Sequence, residues 1–200
     1  GGYTTDLADA VLWAAGIDVP GAPPNPNPAL VINASFGGPS AGCDPAFLDA
    51  LAQLKAKGAV MVAAAGNESD DSKYYSPSGC TDAFTVAASD LKGALAPYSN
   101  FGDKVDILAP GGDVSADLNG DSYADGILSI VADGYSFYNG TSMAAPLVSA
   151  AIALGLRQNP SWSAVDATSR LIASAMPRSG TQCGAPCGAG LMDVAALLDY

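Results

Sequence analysis

The 200-residue sequence contains no histidine. Histidine is the side chain that most readily takes and returns a proton near neutral pH. Cationic residues are scarce too: 8 Lys and Arg stand against 20 Asp and Glu, for a net charge of −12 and an isoelectric point near 4.1. So acidic a surface repels nucleic-acid phosphates and anionic lipid, which argues against both as partners. No run of about 18 apolar residues is present, as a membrane-spanning helix needs. The most apolar stretch, 143–156, is interrupted by Pro146 and Ser149. No signal peptide begins at Gly1, so the chain reads as starting inside a mature protein or after removal of a leader.

The four cysteines, Cys43, Cys80, Cys183 and Cys187, include no Cys-x-x-Cys pair. Without histidine a mixed zinc site is excluded, and these spacings suit an all-cysteine site poorly. Two disulfides formed in an oxidising compartment are expected. Of the three possible pairings, Cys183 with Cys187, close in sequence, and Cys43 with Cys80, across two loops, are the expected pair of bridges.

Apolar residues make up 49% of the chain and charged residues 14%, a compact globular composition. The length suits one domain, 1–200, with one sizeable core. Helical spacing is read at 6–15, 45–57, 141–157, 163–175 and 194–198. Short β-branched runs are read as strands at 30–36, 59–65, 84–89 and 105–108. A stiff Pro/Asn loop spans 20–28. Asp44 is a plausible N-cap for helix 45–57, with Pro45 at its first position and Gly58 beyond its end. Residues 59–65 do not alternate, which implies burial on both faces. Strand–helix–strand succession with such strands predicts an α/β fold with a parallel sheet.

The chemistry concentrates in Asn139-Gly-Thr-Ser-Met-Ala-Ala-Pro146. Ser142 falls at the start of the long helix, where backbone N–H groups lack intrahelical acceptors and the helix dipole is positive. That suits a nucleophile whose substrate develops a negative oxygen. On local chemistry alone, the N-cap of a buried helix is the favoured reading of Ser142. A serine hydroxyl needs a base. The five lysines, Lys55, Lys57, Lys73, Lys92 and Lys104, lie in no motif that would lower their pKa.

Gly140 to Pro146 resembles the serine signature of the subtilisin-like peptidase family (subtilases). Val31-Ile-Asn-Ala-Ser-Phe-Gly-Gly38, Val62-Ala-Ala-Ala-Gly-Asn67, Tyr75-Ser-Pro77, Tyr98-Ser-Asn-Phe-Gly102 and Ile107-Leu-Ala-Pro-Gly111 resemble further landmarks of the family, in order, over essentially the whole chain. The two cysteine pairs are similar to disulfides of secreted bacterial subtilases. The resemblance implies a three-layer α/β fold with a mainly parallel sheet, here lacking its N-terminal strands, and an extracellular serine endopeptidase. Ser142 would attack the scissile carbonyl, and the side-chain amide of Asn67 would donate to the oxyanion. Ser35-Phe36-Gly37 and Ala64-Ala65-Gly66 would form two exposed edges between which a peptide binds as an added strand. The family's aspartate and histidine would be supplied by an N-terminal partner segment, so this chain alone should be inactive. Where the family usually has a histidine after the signature proline, Leu147 stands here.

A calcium loop is expected at Asp117-Leu-Asn119-Gly-Asp121-Ser-Tyr123-Ala-Asp125. Oxygen donors recur there at positions 1, 3, 5 and 9, with the Tyr123 carbonyl at position 7. Ser122 in place of glycine at position 6, and Leu128 in place of glutamate at position 12, depart from that pattern. Asp113 would help fill the shell. The bland alternative is a solvated acidic turn. The resemblance also implies a second Ca²⁺ site at Asp90 with the Thr81 and Ala83 carbonyls. The competing reading of the whole chain is a catalytically incomplete, calcium-stabilised fragment that binds peptides without turnover.

Overall fold

The computed structural model describes residues 2–199. The centre is a four-stranded parallel sheet of β1 (Val31–Ala34), β3 (Val60–Ala64), β5 (Phe84–Ser89) and β6 (Ile107–Pro110), in that spatial order. In β3 the burial is complete, yet period-2 alternation persists beneath it. Met61 and Ala63 face one apolar cluster, while Val60, Val62 and Ala64 face another.

The first cluster is covered by α1 (Thr4–Ala14) and α2 (Pro45–Ala56), through Ala8, Val11, Phe47, Leu51 and Leu54. The second is covered by α3 (Thr141–Gln158), α4 (Ala164–Ser174) and the single turn α6 (Val194–Leu197), chiefly through Val148, Ile152 and Leu171. This is the expected three-layer α/β fold. Alanines 144, 145 and 151 are almost fully buried and bring α3 close to the sheet.

Local signals set the helix starts. The Asp44 carboxylate accepts from the Ala46 N–H at 2.9 Å, and Pro45 opens α2. Ser163 and Asp166 form a capping box at α4. Both expected disulfides are present, Cys43–Cys80 and Cys183–Cys187.

Three features differ from the sequence reading. The run 30–36 is a strand only over β1, so Ser35 to Gly37 leave the sheet. Gly38–Pro39 (β2) then pairs antiparallel with Tyr75–Ser76 (β4), tying that segment to the loop before Cys80. Residues 105–108 begin too early, because β6 takes its start from its register with β5, Val86 beside Ile107. A hairpin, β7 (Ile127–Val131) with β8 (Gly134–Tyr138), leads into α3 and lies outside the elements read from the sequence. Its signal is Asp133-Gly134 between two strand-like runs.

Candidate active site

Ser142 occupies the second position of α3, partly exposed, at the C-terminal end of the parallel sheet. The turn before it is docked on the end of β6, since the Gly140 N–H donates to the Gly111 carbonyl at 3.0 Å. Tyr98 supports the same corner by donating its hydroxyl to the Gly112 carbonyl at 2.7 Å. Burial pushes the Tyr98 phenol up to about 12, so it stays a neutral donor.

Pro146 has a structural consequence here. It is the sixth residue of α3, beyond the first turn, so its missing N–H removes a helical bond. That N–H would have met the carbonyl four residues earlier, which is Ser142's own. The vacated Ser142 carbonyl accepts instead from the Ser35 hydroxyl at 3.0 Å. In return the Ser142 hydroxyl lies 3.5 Å from the Ser35 carbonyl. Leu147, at the position where the family usually has a histidine, is 37% exposed and outside the core.

Asn67 follows β3 on an exposed loop, facing the start of α3. Its side-chain oxygen accepts from the Thr141 N–H at 2.8 Å and lies 3.0 Å from the Thr141 hydroxyl. Those two donors fix which end of the amide is oxygen. The NH₂ end makes no hydrogen bond among the described residues.

Ser35, Phe36, Gly37, Ala64, Ala65, Gly66, Asn67, Thr141 and Ser142 line one cavity of about 150 Å³, together with Glu68, Tyr75 and Ser78. The segments 35–37 and 64–66 therefore do meet, but the second is not an open edge. Ala64 and Ala65 are 7% and 0% exposed. The Gly66 carbonyl already accepts from Asn100 N–H at 3.0 Å, and its N–H donates to the Thr141 hydroxyl at 3.2 Å. The two segments are the walls of a cleft, with backbone groups of Ala65 and Gly66 committed inside the protein. No lysine or arginine lines this cavity, and its one carboxylate, Glu68, accepts from the Asn67 N–H at 2.8 Å.

The acidic loop is folded on itself. Asp117 accepts from the N–H groups of Gly120, Asp121 and Ser122, and Asp121 from that of Tyr123. Ser122 takes φ +71°, the left-handed turn that the sixth position of such a loop requires. Asp113 and Asp125 are nearly buried and joined by backbone pairing. The all-oxygen donor set suits a hard cation. Its carboxylates do not converge, however: no group of three or more His, Cys, Asp or Glu among the described residues is arranged to hold a metal.

The second expected site is not assembled. Thr81 and Ala83 precede β5 and Asp90 follows it, so a six-residue strand of roughly 20 Å separates them. Asp90 instead caps a turn, accepting from the N–H groups of Lys92 and Ala94 at 2.9 Å each. The carboxylates that share a cavity with Ala83 are its neighbour Asp82, paired with Lys55, and, from the chain leading into β6, Asp106. Asp106 accepts from the Thr85 N–H at 2.6 Å, and burial raises it to about 6 against the pull of that bond and of Lys104. The sequence hides this proximity, which arises from the β5–β6 register.

Comparison with known proteins agrees with the geometry. A family model described as the subtilase family matches residues 1–190. An extracellular protease of Xanthomonas campestris pv. campestris is 38% identical over 199 residues, covering 98% of this chain and 33% of that protein. An extracellular basic protease of Dichelobacter nodosus is 39% identical over 154 residues, covering 77% of this chain and 24% of its own. This chain thus spans a third or less of the length of these curated relatives. Among solved structures, a protease of Pseudoalteromonas arctica superposes over 100% of this chain and 59% of its own, with a TM-score of 0.88 and 38% identity. The fold, the serine at the head of α3 and the asparagine facing it, taken with these matches, place the chain in the subtilase family.

Proposed function

We propose that this chain is the nucleophile-bearing part of a secreted serine endopeptidase. The observation that carries the reading is that Ser142 and Asn67 line one cleft at the N-terminus of α3, with the Asn67 amide oxygen tied to the Thr141 N–H. In the reaction, the Ser142 oxygen attacks the scissile carbonyl carbon and its proton passes to a base. The carbonyl oxygen becomes an anion, held by the Asn67 amide and the Ser142 N–H. Collapse expels the leaving amine, which takes the proton, and leaves an acyl-enzyme on Ser142. Water then releases the acid and restores the hydroxyl.

The base is proposed to be a histidine, oriented by an aspartate, on an N-terminal segment. The chain has no histidine, and Glu68, the carboxylate in the cavity, is held by backbone and Asn100. The free side of β1 gives that segment a place to join, because β1 is an edge strand, paired only with β3 among the described residues. Two disulfides, and relatives named as extracellular proteases, support secretion. The test is hydrolysis of a peptide substrate by this chain alone and by the assembled peptidase. Turnover only in the assembled form supports the reading. Full turnover by the isolated chain overturns it.

Calcium is proposed for the 117–125 loop, supported by its donor spacing and the left-handed Ser122. Binding would need Asp117, Asp121 and Asp125 to turn inward, removing their mutual repulsion. Chelation should lower the melting temperature, and Asp121→Ala should abolish that dependence. An unchanged melting curve on chelation refutes the site.

A further inference from the structure

An oxyanion donor must be held to within a few tenths of an ångström of its working position, because small misplacements are costly in rate. Asn67 lies on an exposed loop, where such precision is not automatic. Thr141 fixes the side-chain end of Asn67. One residue, Asn100, bonds to the main chain on both sides of it.

Asn100 is fully buried, at 0% exposure. Its amide NH₂ donates to the Ala65 carbonyl at 3.0 Å and to Glu68 Oε2 at 2.9 Å. Its amide oxygen accepts from the N–H groups of Glu68 at 2.9 Å and Asp70 at 3.0 Å. Its own backbone N–H donates to the Gly66 carbonyl at 3.0 Å. The contacts thus reach residues 65, 66, 68 and 70 and bracket Asn67. Glu68 completes the loop by accepting the Asn67 N–H on the oxygen that also receives the Asn100 amide. Room for this clamp depends on Gly66: at φ +110° a Cβ there would lie 2.1 Å from the Asn100 amide nitrogen.

We propose that Asn100, acting through Glu68 and the 65–70 main chain, is the positioning residue for the oxyanion donor Asn67. The proposal rests on the reading of Asn67 as that donor. Asn100 touches neither substrate nor reacting atoms. It converts an exposed loop into a rigid mount by satisfying donors and acceptors on both flanks of Asn67. Asn100→Asp is the sharp perturbation. It keeps size and both accepted bonds, but it sets a carboxylate oxygen against the Ala65 carbonyl and the Glu68 carboxylate. The loop should then move away from Asn100, taking the Asn67 amide with it.

The test is steady-state kinetics on the assembled peptidase with Asn67→Ala, Asn100→Asp and the double variant. Asn67→Ala should lower kcat by roughly 100- to 1000-fold, the range known from removing the oxyanion-hole asparagine of a subtilisin and carried over from there. Asn100→Asp should lower kcat about 10- to 100-fold with KM changed by less than about threefold, as expected of a misplaced donor with substrate binding intact. In the Asn67→Ala background the Asn100 effect should vanish. Glu68→Ala, which removes the oxygen reached by both the Asn67 N–H and the Asn100 amide, serves as a second variant if Asn100→Asp does not fold. It should lower kcat with the same dependence on Asn67. An Asn100 or Glu68 effect on kcat that persists undiminished without Asn67, or wild-type kcat in both variants, overturns the proposal. Wild-type kcat in Asn67→Ala removes the donor assignment itself, which separates the failure of that reading from the failure of the clamp.

Discussion

The two disulfides should contribute very unequally to stability, and the difference can be worked from the loops they close. Cys43–Cys80 spans 37 residues and Cys183–Cys187 spans 4. In the chain-entropy treatment, cross-linking lowers the entropy of the unfolded chain in proportion to the logarithm of loop length. At 25 °C that amounts to about 3.8 kcal/mol for the long loop and about 1.9 kcal/mol for the short one. Burial does not separate the two bridges, because each joins a buried cysteine, Cys80 at 3% or Cys187 at 6% exposure, to a half-buried one. The long bridge also lies beside the cleft, since β2 and β4 join the 35–39 segment to the chain just before Cys80. Replacing both Cys43 and Cys80 by alanine in the assembled peptidase should therefore cost about 2 kcal/mol more than the same treatment of Cys183 and Cys187. Urea unfolding followed by tryptophan fluorescence measures the difference, with m-values checked for change. The first pair of substitutions should also raise KM, by loosening the Ser35–Gly37 wall. Equal destabilisation by the two pairs, or a greater loss from Cys183 and Cys187, would refute the reasoning.

Ser35→Ala removes the donor that satisfies the Ser142 carbonyl left free by Pro146; it should destabilise the protein by about 1–3 kcal/mol, read from thermal unfolding. The accompanying variant Pro146→Ala should reduce that cost, because it restores a helical N–H to the same carbonyl. Asp106 should give a pH-dependent stability in chelator-treated protein. Its carboxyl, raised by burial to about 6, binds its proton more tightly in the folded state than in the unfolded state. Its contribution is therefore fully present below about pH 4 and is lost as pH rises through about 6, by roughly 3 kcal/mol at most. Asp106→Asn should be the more stable protein at pH 7, with the advantage shrinking towards pH 4; an advantage that does not vary with pH contradicts the assignment.

Much of this architecture is legible in the sequence because local physics and tertiary packing agree. Residues 59–65 are apolar without alternation, and β3 is indeed covered on both faces. Asp44, Pro45 and Gly58 mark the ends of α2 as capping chemistry dictates. Ser142 stands out by its place at a helix start, whereas Asn67 enters only through the resemblance to subtilases, since its local pattern alone reads as a turn after a strand. What escapes is set by long-range register. Asp90 follows a strand and looks available for a cation, whereas the parallel pairing of β5 with β6 brings Asp106 to the other end of that strand. Ala64 to Gly66 look like an edge in one dimension, yet Asn100 and Thr141, 34 and 75 residues downstream of Gly66, occupy backbone groups of Ala65 and Gly66. The link from Pro146 through the Ser142 carbonyl to Ser35 likewise joins positions 107 residues apart.

The central claim is that Ser142 is a nucleophile whose base resides on another segment. Fluorophosphonate labelling, with the modified residue located by peptide mass spectrometry, tests it most directly. The account predicts slow or absent labelling of the isolated chain and prompt labelling of Ser142 in the assembled peptidase, abolished by Ser142→Ala. Prompt labelling of Ser142 in the isolated chain, or its failure to label when assembled, would contradict the account.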